Sequence, residues 1–227
     1  MTEQNFLKDV ALLADLSERD KQALVEGLEE RFFHAGDVIL HAKDTSAHFF
    51  LIKSGKVKIS LHSDETEREV TLTYLKPGDF FGEMAILDGE PRSAAATATT
   101  DTIALVGARE HFLTKLGENP QVALNLLAIM SQRLRRADQQ IEDLAFLDVQ
   151  GRVARMLLEM AEREGEETEV GVLVPLHHTR QELANLVSTS RETLTRVLKL
   201  FERLAFIKLG RKRVMLTNIP RLQKKTL

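Results

Sequence analysis

The chain has 227 residues, 43% of them apolar, a formal net charge of −3 and no cysteine. That length accommodates one or two domains with real cores, and the missing thiols exclude a disulfide framework, a thiolate zinc site and a cysteine-held iron–sulfur cluster. The first twenty residues include Lys8, Asp9 and Asp15, and the longest apolar run, Val122 to Met130, is broken by Asn125; neither a signal peptide nor the roughly 20-residue apolar span of a membrane helix is read, so a cytoplasmic protein is expected.

Charge is unevenly placed. Residues 1–147 carry 16 Lys and Arg against 24 Asp and Glu, whereas residues 177–227 carry 12 against 3. A basic end behind an acidic body points to a polyanionic partner for the C-terminal part alone.

Thr2 to Leu28 reads as mixed helical sequence. From Arg31 to about Gly107 the pattern is short strands with turn signals about every ten residues, and the helical segment is suited to packing against them. Lys56 to His62 alternates strictly, with Val57, Ile59 and Leu61 on one face, and Val70 and Leu72 repeat the pattern. Ser54-Gly55, Lys76-Pro77-Gly78-Asp79 and Asp88-Gly89 mark turns. Evenly spaced short strands predict a sandwich, jelly roll or barrel.

Within that segment, Gly82-Glu83-Met84-Ala85-Ile86-Leu87-Asp88-Gly89-Glu90-Pro91-Arg92-Ser93-Ala94 concentrates phosphate chemistry. A helical turn starting after Gly82 aims backbone N–H groups at an anion, and a residue without a side chain lets the ligand approach. Arg92 and Ser93 add a charged fork and a hydroxyl. Glu83 accepts only, so its partner is a donor such as a ribose hydroxyl.

From Pro120 to Asp148 the period becomes helical. Ala123, Leu127, Met130, Leu134, Ala137, Ile141 and Leu144 follow alternating steps of 4 and 3. Two arrangements satisfy such a seam: a dimer coiled coil, which its regularity favours, and the buried stripe of a monomer helix. A further helix from Val149 to about Arg163 precedes an acidic loop, 164–169, and a strand from Val170 to Val174. Thr179 and Glu182 form a capping box, and Ser190 is a second N-cap followed by the apolar stripe Leu194, Val197, Leu198 and Phe201. Two short helices so spaced make a helix-turn-helix. Arg191, Glu192 and Arg196 lie on the second helix away from the stripe, where arginine forks onto guanine and a carboxylate accepts from cytosine. Gly210 to Arg213 followed by Val214-Met215-Leu216 reads as a basic hairpin wing.

With cassette, seam and recognition helix in this order, the chain resembles the catabolite activator/FNR superfamily of bacterial transcription regulators, in particular its cyclic AMP receptor branch. The resemblance covers nearly the whole length and rests most on Phe81 to Ala94, Asp143 to Val149, and Thr179 to Lys199. It implies an α+β architecture: an N-terminal β-roll, jelly-roll-like and cyclic-nucleotide-binding, over residues 1–119, a long dimerisation helix and hinge over 120–148, and a winged helix-turn-helix over 149–227. Gly82 and Glu83, with Met84 beside them, match ribose-side positions, Arg92 and Ser93 the phosphate clamp, and Arg133 a further position near the phosphate. Arg191, Glu192 and Arg196 match base readers for half-sites similar to TGTGA and TCACA, while Thr179, Arg180, Gln181, Ser190, Thr193 and Arg211 match backbone contacts. Leu127, Met130, Leu134, Ala137, Ile141 and Leu144 form the expected seam of a homodimer. Double-stranded DNA, a cyclic nucleotide and RNA polymerase are the implied partners, with no membrane.

One departure concerns the base. Where the cyclic AMP receptors place Thr then Ser on the long helix, this chain has Ala137 and Asp138. Ala137 offers no polar group, and ionised Asp138 accepts from an amino group, or a guanine edge, but donates nothing. Cyclic AMP leads as effector, with cyclic GMP, cyclic di-GMP or a vestigial pocket as alternatives. Arg135 and Arg136 add charge for a second phosphate. A dimeric scaffold using its basic end on acidic partners is the reading from another class. The seven histidines show no spacing that marks a haem ligand, and no His-x-His exists for a metal enzyme of the cupin type, so neither a metal, a resident cofactor nor an enzyme is expected.

Overall fold

The computed structural model describes residues 6–63 and 68–226. They form two compact units that divide between Leu134 and Arg135.

The first unit is built on strands β1 (Glu29–Phe33), β2 (Val38–Leu40), β3 (His48–Ser54), β4 (Val57–Ser63), β5 (Arg68–Leu75), β6 (Phe80–Phe81), β7 (Ala95–Ala98) and β8 (Thr102–Ala108). They make two four-stranded antiparallel sheets, ordered β1-β8-β3-β6 and β2-β7-β4-β5. Their facing apolar residues, including Phe50, Ile52, Val57, Phe81 and Val106, bury one core. The alternation of β4 does not hold to its end. Val57 is fully buried, but Leu61 is 43% exposed, while Ser60 and its cross-strand partner Thr71 are buried. The β4–β5 register shifts between Ile59 and Ser60, and such a bulge bends the strand, so the inner face ends before Leu61.

A second core lies under the N-terminal segment. Two 3₁₀ turns (Leu7–Asp9 and Ala11–Leu13) and α1 (Glu18–Val25), capped by the Ser17 hydroxyl on Asp20 N, deliver Leu7, Val10, Leu13 and Leu24 to Phe49 and Phe112. The short α2 (Glu83–Asp88) interrupts the strands, and α3 (Arg109–Glu118) comes directly after β8. Helix α4 (Pro120–Phe146) starts on proline, whose missing N–H is no loss in a first turn. Its Val122 and Leu126 are buried in this core, with Ile129 and Met130 packed against it. Met130, expected on the seam, is half-buried and packs one side against this core. Leu127, Leu134, Ile141 and Leu144 stay 52–65% exposed.

The second unit contains α5 (Val149–Glu164), β9 (Glu166–Thr168), β10 (Gly171–Pro175), α6 (Arg180–Leu186), α7 (Arg191–Arg203), β11 (Ile207–Gly210), β12 (Arg213–Leu216) and α8 (Ile219–Gln223). The antiparallel sheet runs β11-β12-β10-β9. The acidic stretch read as a loop is thus partly a strand: Glu166 and Glu167 have weak intrinsic strand preference, and β10 supplies the edge that they and Thr168 pair with. Strand β10 begins one residue later than expected, at Gly171, whose φ of +137° and close approach to Leu216 O exclude a side chain. One core joins Val153 and Leu157 of α5, Leu183 of α6, Leu194, Leu198 and Phe201 of α7, and Val214 and Leu216 of β12.

Half-buried Glu159 on α5 generates a pH prediction. Burial pushes its carboxyl up, Arg163 opposes this, Asp143 adds to it and Arg155 lowers it again. A carboxyl raised in the fold stabilises while protonated, and that contribution is lost as pH rises through the folded value. Glu159→Gln is therefore expected to raise unfolding stability at pH 7 by about 0.5 kcal/mol, small because the group is partly solvated, and to give no gain near pH 3.5. Thermal melts at the two pH values measure this.

Candidate functional site

The Gly82–Ser93 cassette is set by backbone constraints before any side chain acts. Strand β6 leads into Gly82, whose φ of +84° turns the chain into α2. A Cβ there would meet His48 O and Arg92 Nη1, both at 2.8 Å. Gly89, at φ +77°, ends the helix, and the chain returns through Pro91 to Arg92. The backbone of residue 92 is strapped to the 43–44 segment, with Arg92 N donating to Asp44 O and Lys43 N to Arg92 O, each at 2.8 Å.

Two charged side chains are buried here. Glu83 is 3% exposed; its Oε1 accepts from Arg133 Nη1 at 2.8 Å, and its Oε2 is buried with no hydrogen-bond partner among the described residues. Arg92 is 4% exposed; Nη1 donates to Gly82 O at 2.5 Å, Nη2 to His48 O at 2.6 Å, and buried Nε has no partner among the described residues. Burial pulls the Arg92 guanidinium down, with Asp44 and then Glu83 opposing. Arg133, on α4, also donates Nη2 to Phe80 O at 2.6 Å and lies 4.7 Å from the centre of the Phe80 ring. Ser93 is exposed with its hydroxyl 3.6 Å from Sδ of exposed Met84.

The structure thus brings Gly82, Glu83, Arg92 and Arg133 together, with Met84 and Ser93 at the exposed side. The Arg92 fork, expected to be free for an anion, spends two of its five N–H donors on carbonyls, which fixes its plane, and its Nη2 also lies 3.5 Å from Ser46 Oγ, while buried Nε has no partner among the described residues. Ala137 and Asp138 are exposed on α4 beyond Leu134, in the second unit. Sequence reasoning missed Asp44, Ser46 and His48. Asp44 carries a local signal, since its Oδ1 accepts from Ser46 N at 3.1 Å in an Asx turn. His48 acts through its carbonyl, which no side-chain pattern reports.

In the second unit the two helix caps form as expected. Thr179 Oγ1 accepts from Glu182 N while Glu182 Oε2 accepts from Thr179 N, and Ser190 Oγ accepts from Thr193 N. These caps aim α7 so that Arg191, Glu192 and Arg196 are exposed opposite buried Leu194, Val197, Leu198 and Phe201. Arg196 Nη2 donates to Thr193 Oγ1 at 3.1 Å, and Gln181 Nε2 to Asn185 Oδ1 at 2.8 Å. Arg180 departs from the expectation of a free backbone contact: its Nη1 is buried without a partner among the described residues, and burial pulls the group down while Glu202 opposes. Arg211 and Arg213 are exposed at the β11–β12 turn, which Lys212 closes at φ +54°. Among the described residues no helix is long and apolar enough to cross a membrane, and no cluster of three or more His, Asp or Glu is placed to hold a metal.

A roll carrying a phosphate-type cassette, followed by a long helix and a winged helix-turn-helix, defines a ligand-responsive DNA-binding regulator. Residues 30–119 match the cyclic nucleotide-binding domain, and residues 151–225 the Crp-like helix-turn-helix domain. The chain is 35% identical over 204 residues, 89% of its length and 90% of the relative's, to the CRP-like cAMP-activated global transcriptional regulator of Mycobacterium tuberculosis. It is 36% identical over 205 residues, 90% of its length and 91% of the relative's, to the cyclic AMP receptor protein of Thermus thermophilus. The fold is similar to that of a CooA mutant from Carboxydothermus hydrogenoformans, at a TM-score of 0.83 and 22% identity over 97% of this chain and 95% of that one. The chain belongs to the CRP/FNR family of transcription regulators, which are not enzymes.

The cassette backbone is testable through its glycines. Gly82→Ala must accept a left-handed φ and displace the His48 carbonyl, so a loss of about 2–4 kcal/mol is expected. Gly89→Ala has a similar φ but nothing within 4 Å of its Cβ, so only about 1 kcal/mol is expected. Urea unfolding of both variants checks the difference.

Proposed function

We propose that the protein is a homodimeric, sequence-specific transcription regulator whose DNA affinity is set by a cyclic nucleotide, with cyclic AMP the effector. The observation that carries the reading is the pair of buried, unpartnered atoms at the cassette: Glu83 Oε2, which needs a donor, and Arg92 Nε, which needs an acceptor. Leaving such groups unpaired costs about 1–3 kcal/mol each. A ribose hydroxyl answers the first and a cyclic phosphate oxygen the second, with the exposed Ser93 hydroxyl as a further donor. Relatives of similar length named for cyclic AMP support that effector over other nucleotides.

Arg133 gives the bound ligand a route to the long helix. It holds Glu83 and Phe80 O from α4, so a hydroxyl donated to Glu83 Oε2 alters the charge that Arg133 faces. A ligand shifts an equilibrium only by binding its two states differently, and this shared carboxylate supplies such a difference. The exposed Leu127, Leu134, Ile141 and Leu144 run along one stripe and are covered by a second copy, giving two recognition helices about one DNA turn apart on TGTGA and TCACA half-sites. Ala137 and Asp138 supply no hydroxyl to the base, so discrimination among nucleotides rests less on α4. RNA polymerase is the protein partner of this reading.

Two experiments test it. Calorimetry with cyclic AMP, cyclic GMP and cyclic di-GMP is expected to show the tightest binding for cyclic AMP, weakened at least 100-fold by Arg92→Ala; equal affinity for all three, or none, overturns the effector assignment. In DNA titrations at several salt concentrations, Arg191→Ala is expected to cost about 1–3 kcal/mol at one base position, whereas Arg211→Ala weakens all sequences alike and lowers the salt slope by about 1. Uniform losses from both remove base reading from the account.

A further inference from the structure

Sulfur enters this chain only as methionine: it has six and no cysteine. Oxidation of a thioether needs access by the oxidant, so exposure separates the five that lie among the described residues. Met156 is buried in the second unit's core at 9% exposure, and Met160 packs against the same core. Met130 packs against the core under the N-terminal segment, and Met215 is half-buried on β12 with its Sδ 3.7 Å from Thr168 Oγ1. Met84 is 49% exposed, the one exposed thioether among the described residues.

That sulfur stands at the cassette. Met84 directly follows buried Glu83 in α2, and its Sδ accepts from the Ser93 hydroxyl at 3.6 Å. The two residues come from opposite ends of the cassette and are brought together by its backbone. Gly82 and Gly89 are left-handed at either end of α2, and the strap between residue 92 and the 43–44 segment fixes the stretch that carries Ser93.

A serine hydroxyl has one proton to donate, and a thioether is a weak acceptor for it. In the reduced protein that proton turns readily to a stronger acceptor such as a phosphate oxygen. A sulfoxide oxygen is also a stronger acceptor, and it would stand one S–O bond away from the atom that the hydroxyl already contacts. Oxidation also turns a flexible apolar side chain into a polar one.

We propose that Met84 is a modification site at which a hydroperoxide sets the affinity for the cyclic nucleotide. The sulfur attacks one peroxide oxygen, and an S–O bond forms as the O–O bond breaks. The departing oxygen takes the proton of the transferred one and leaves as water or an alcohol. Sulfur loses two electrons and the peroxide gains them, so no other reactant is needed. The sulfoxide then holds the Ser93 proton and withdraws it from the cyclic phosphate, and reduction back to the thioether releases it. This deepens the cyclic nucleotide reading above and rests on it.

The test treats the full chain with hydrogen peroxide and maps it by peptide mass spectrometry without nucleotide. Met84 is expected to gain one oxygen at least tenfold faster than Met156 and Met160; equal rates overturn the site. Calorimetry with cyclic AMP then compares treated and untreated protein. The wild type is expected to bind at least fivefold more weakly once Met84 is oxidised, the scale of one lost hydrogen bond. Unchanged affinity overturns the control of binding. Met84→Leu, whatever its own affinity, is expected to keep it after treatment, and a fivefold loss in that variant overturns the assignment to Met84. Ser93→Ala is expected to lose less than twofold on oxidation, because the proton at issue is gone; a loss as large as the wild type's overturns the capture of Ser93. Failure of the untreated protein to bind any cyclic nucleotide sinks the effector reading, while the oxidation rates still decide the site.

Discussion

Burying a carboxylate at 3% exposure carries a desolvation cost that one guanidinium contact only partly offsets, and Glu83 is held in that position. Much of the first unit is arranged around this constraint. Gly82 must be left-handed to turn β6 into α2 and place Glu83 inward, and His48 O and Arg92 occupy the space that a side chain at Gly82 would need. Arg92 is then buried beside it, with two carbonyls fixing its plane, and Arg133 brings α4 to the same carboxylate. Removing any one of these groups leaves a buried charge or a buried polar atom unanswered, so the cassette behaves as a unit.

The second unit depends less on buried charge than on local capping. Thr179, Glu182 and Ser190 satisfy the free amides at the starts of α6 and α7, and the apolar stripe from Leu194 to Phe201 seats α7 on α5. The polar face left outside carries Arg191, Glu192 and Arg196. An acidic body and a basic end therefore divide the work between two chemistries, one facing a small anion and one a polyanion.

Features carried by local chemistry were legible in the sequence. The capping box at Thr179, the N-cap at Ser190, the proline start of the long helix at Pro120 and the turn glycines each announce themselves within four residues. Features that depend on a partner strand or on backbone groups were not. Glu166 to Thr168 pair as a strand only because β10 presents an edge, and Leu61 leaves the inner face because of a register shift that alternation on one strand cannot show. Met130 fits the heptad and the core pattern equally well, and its contact with the first core is visible only in the packing. Arg92 and Arg180 show the same limit for charge: residue type identifies a cation, but the carbonyls of Gly82 and His48, and the burial of Arg180 Nη1, decide how much of it faces outward.

The first core grips α4 only near its start, through Val122, Leu126, Ile129 and Met130, although the helix is 27 residues long. At 1.5 Å per residue it is about 40 Å from end to end, which makes it a lever with a short anchored arm. Tilting it by about 5° displaces its far end by about 3.5 Å, close to the 3.4 Å rise of one base pair. On the proposed regulatory reading, small adjustments around Arg133, near the anchored end, would be magnified to that scale.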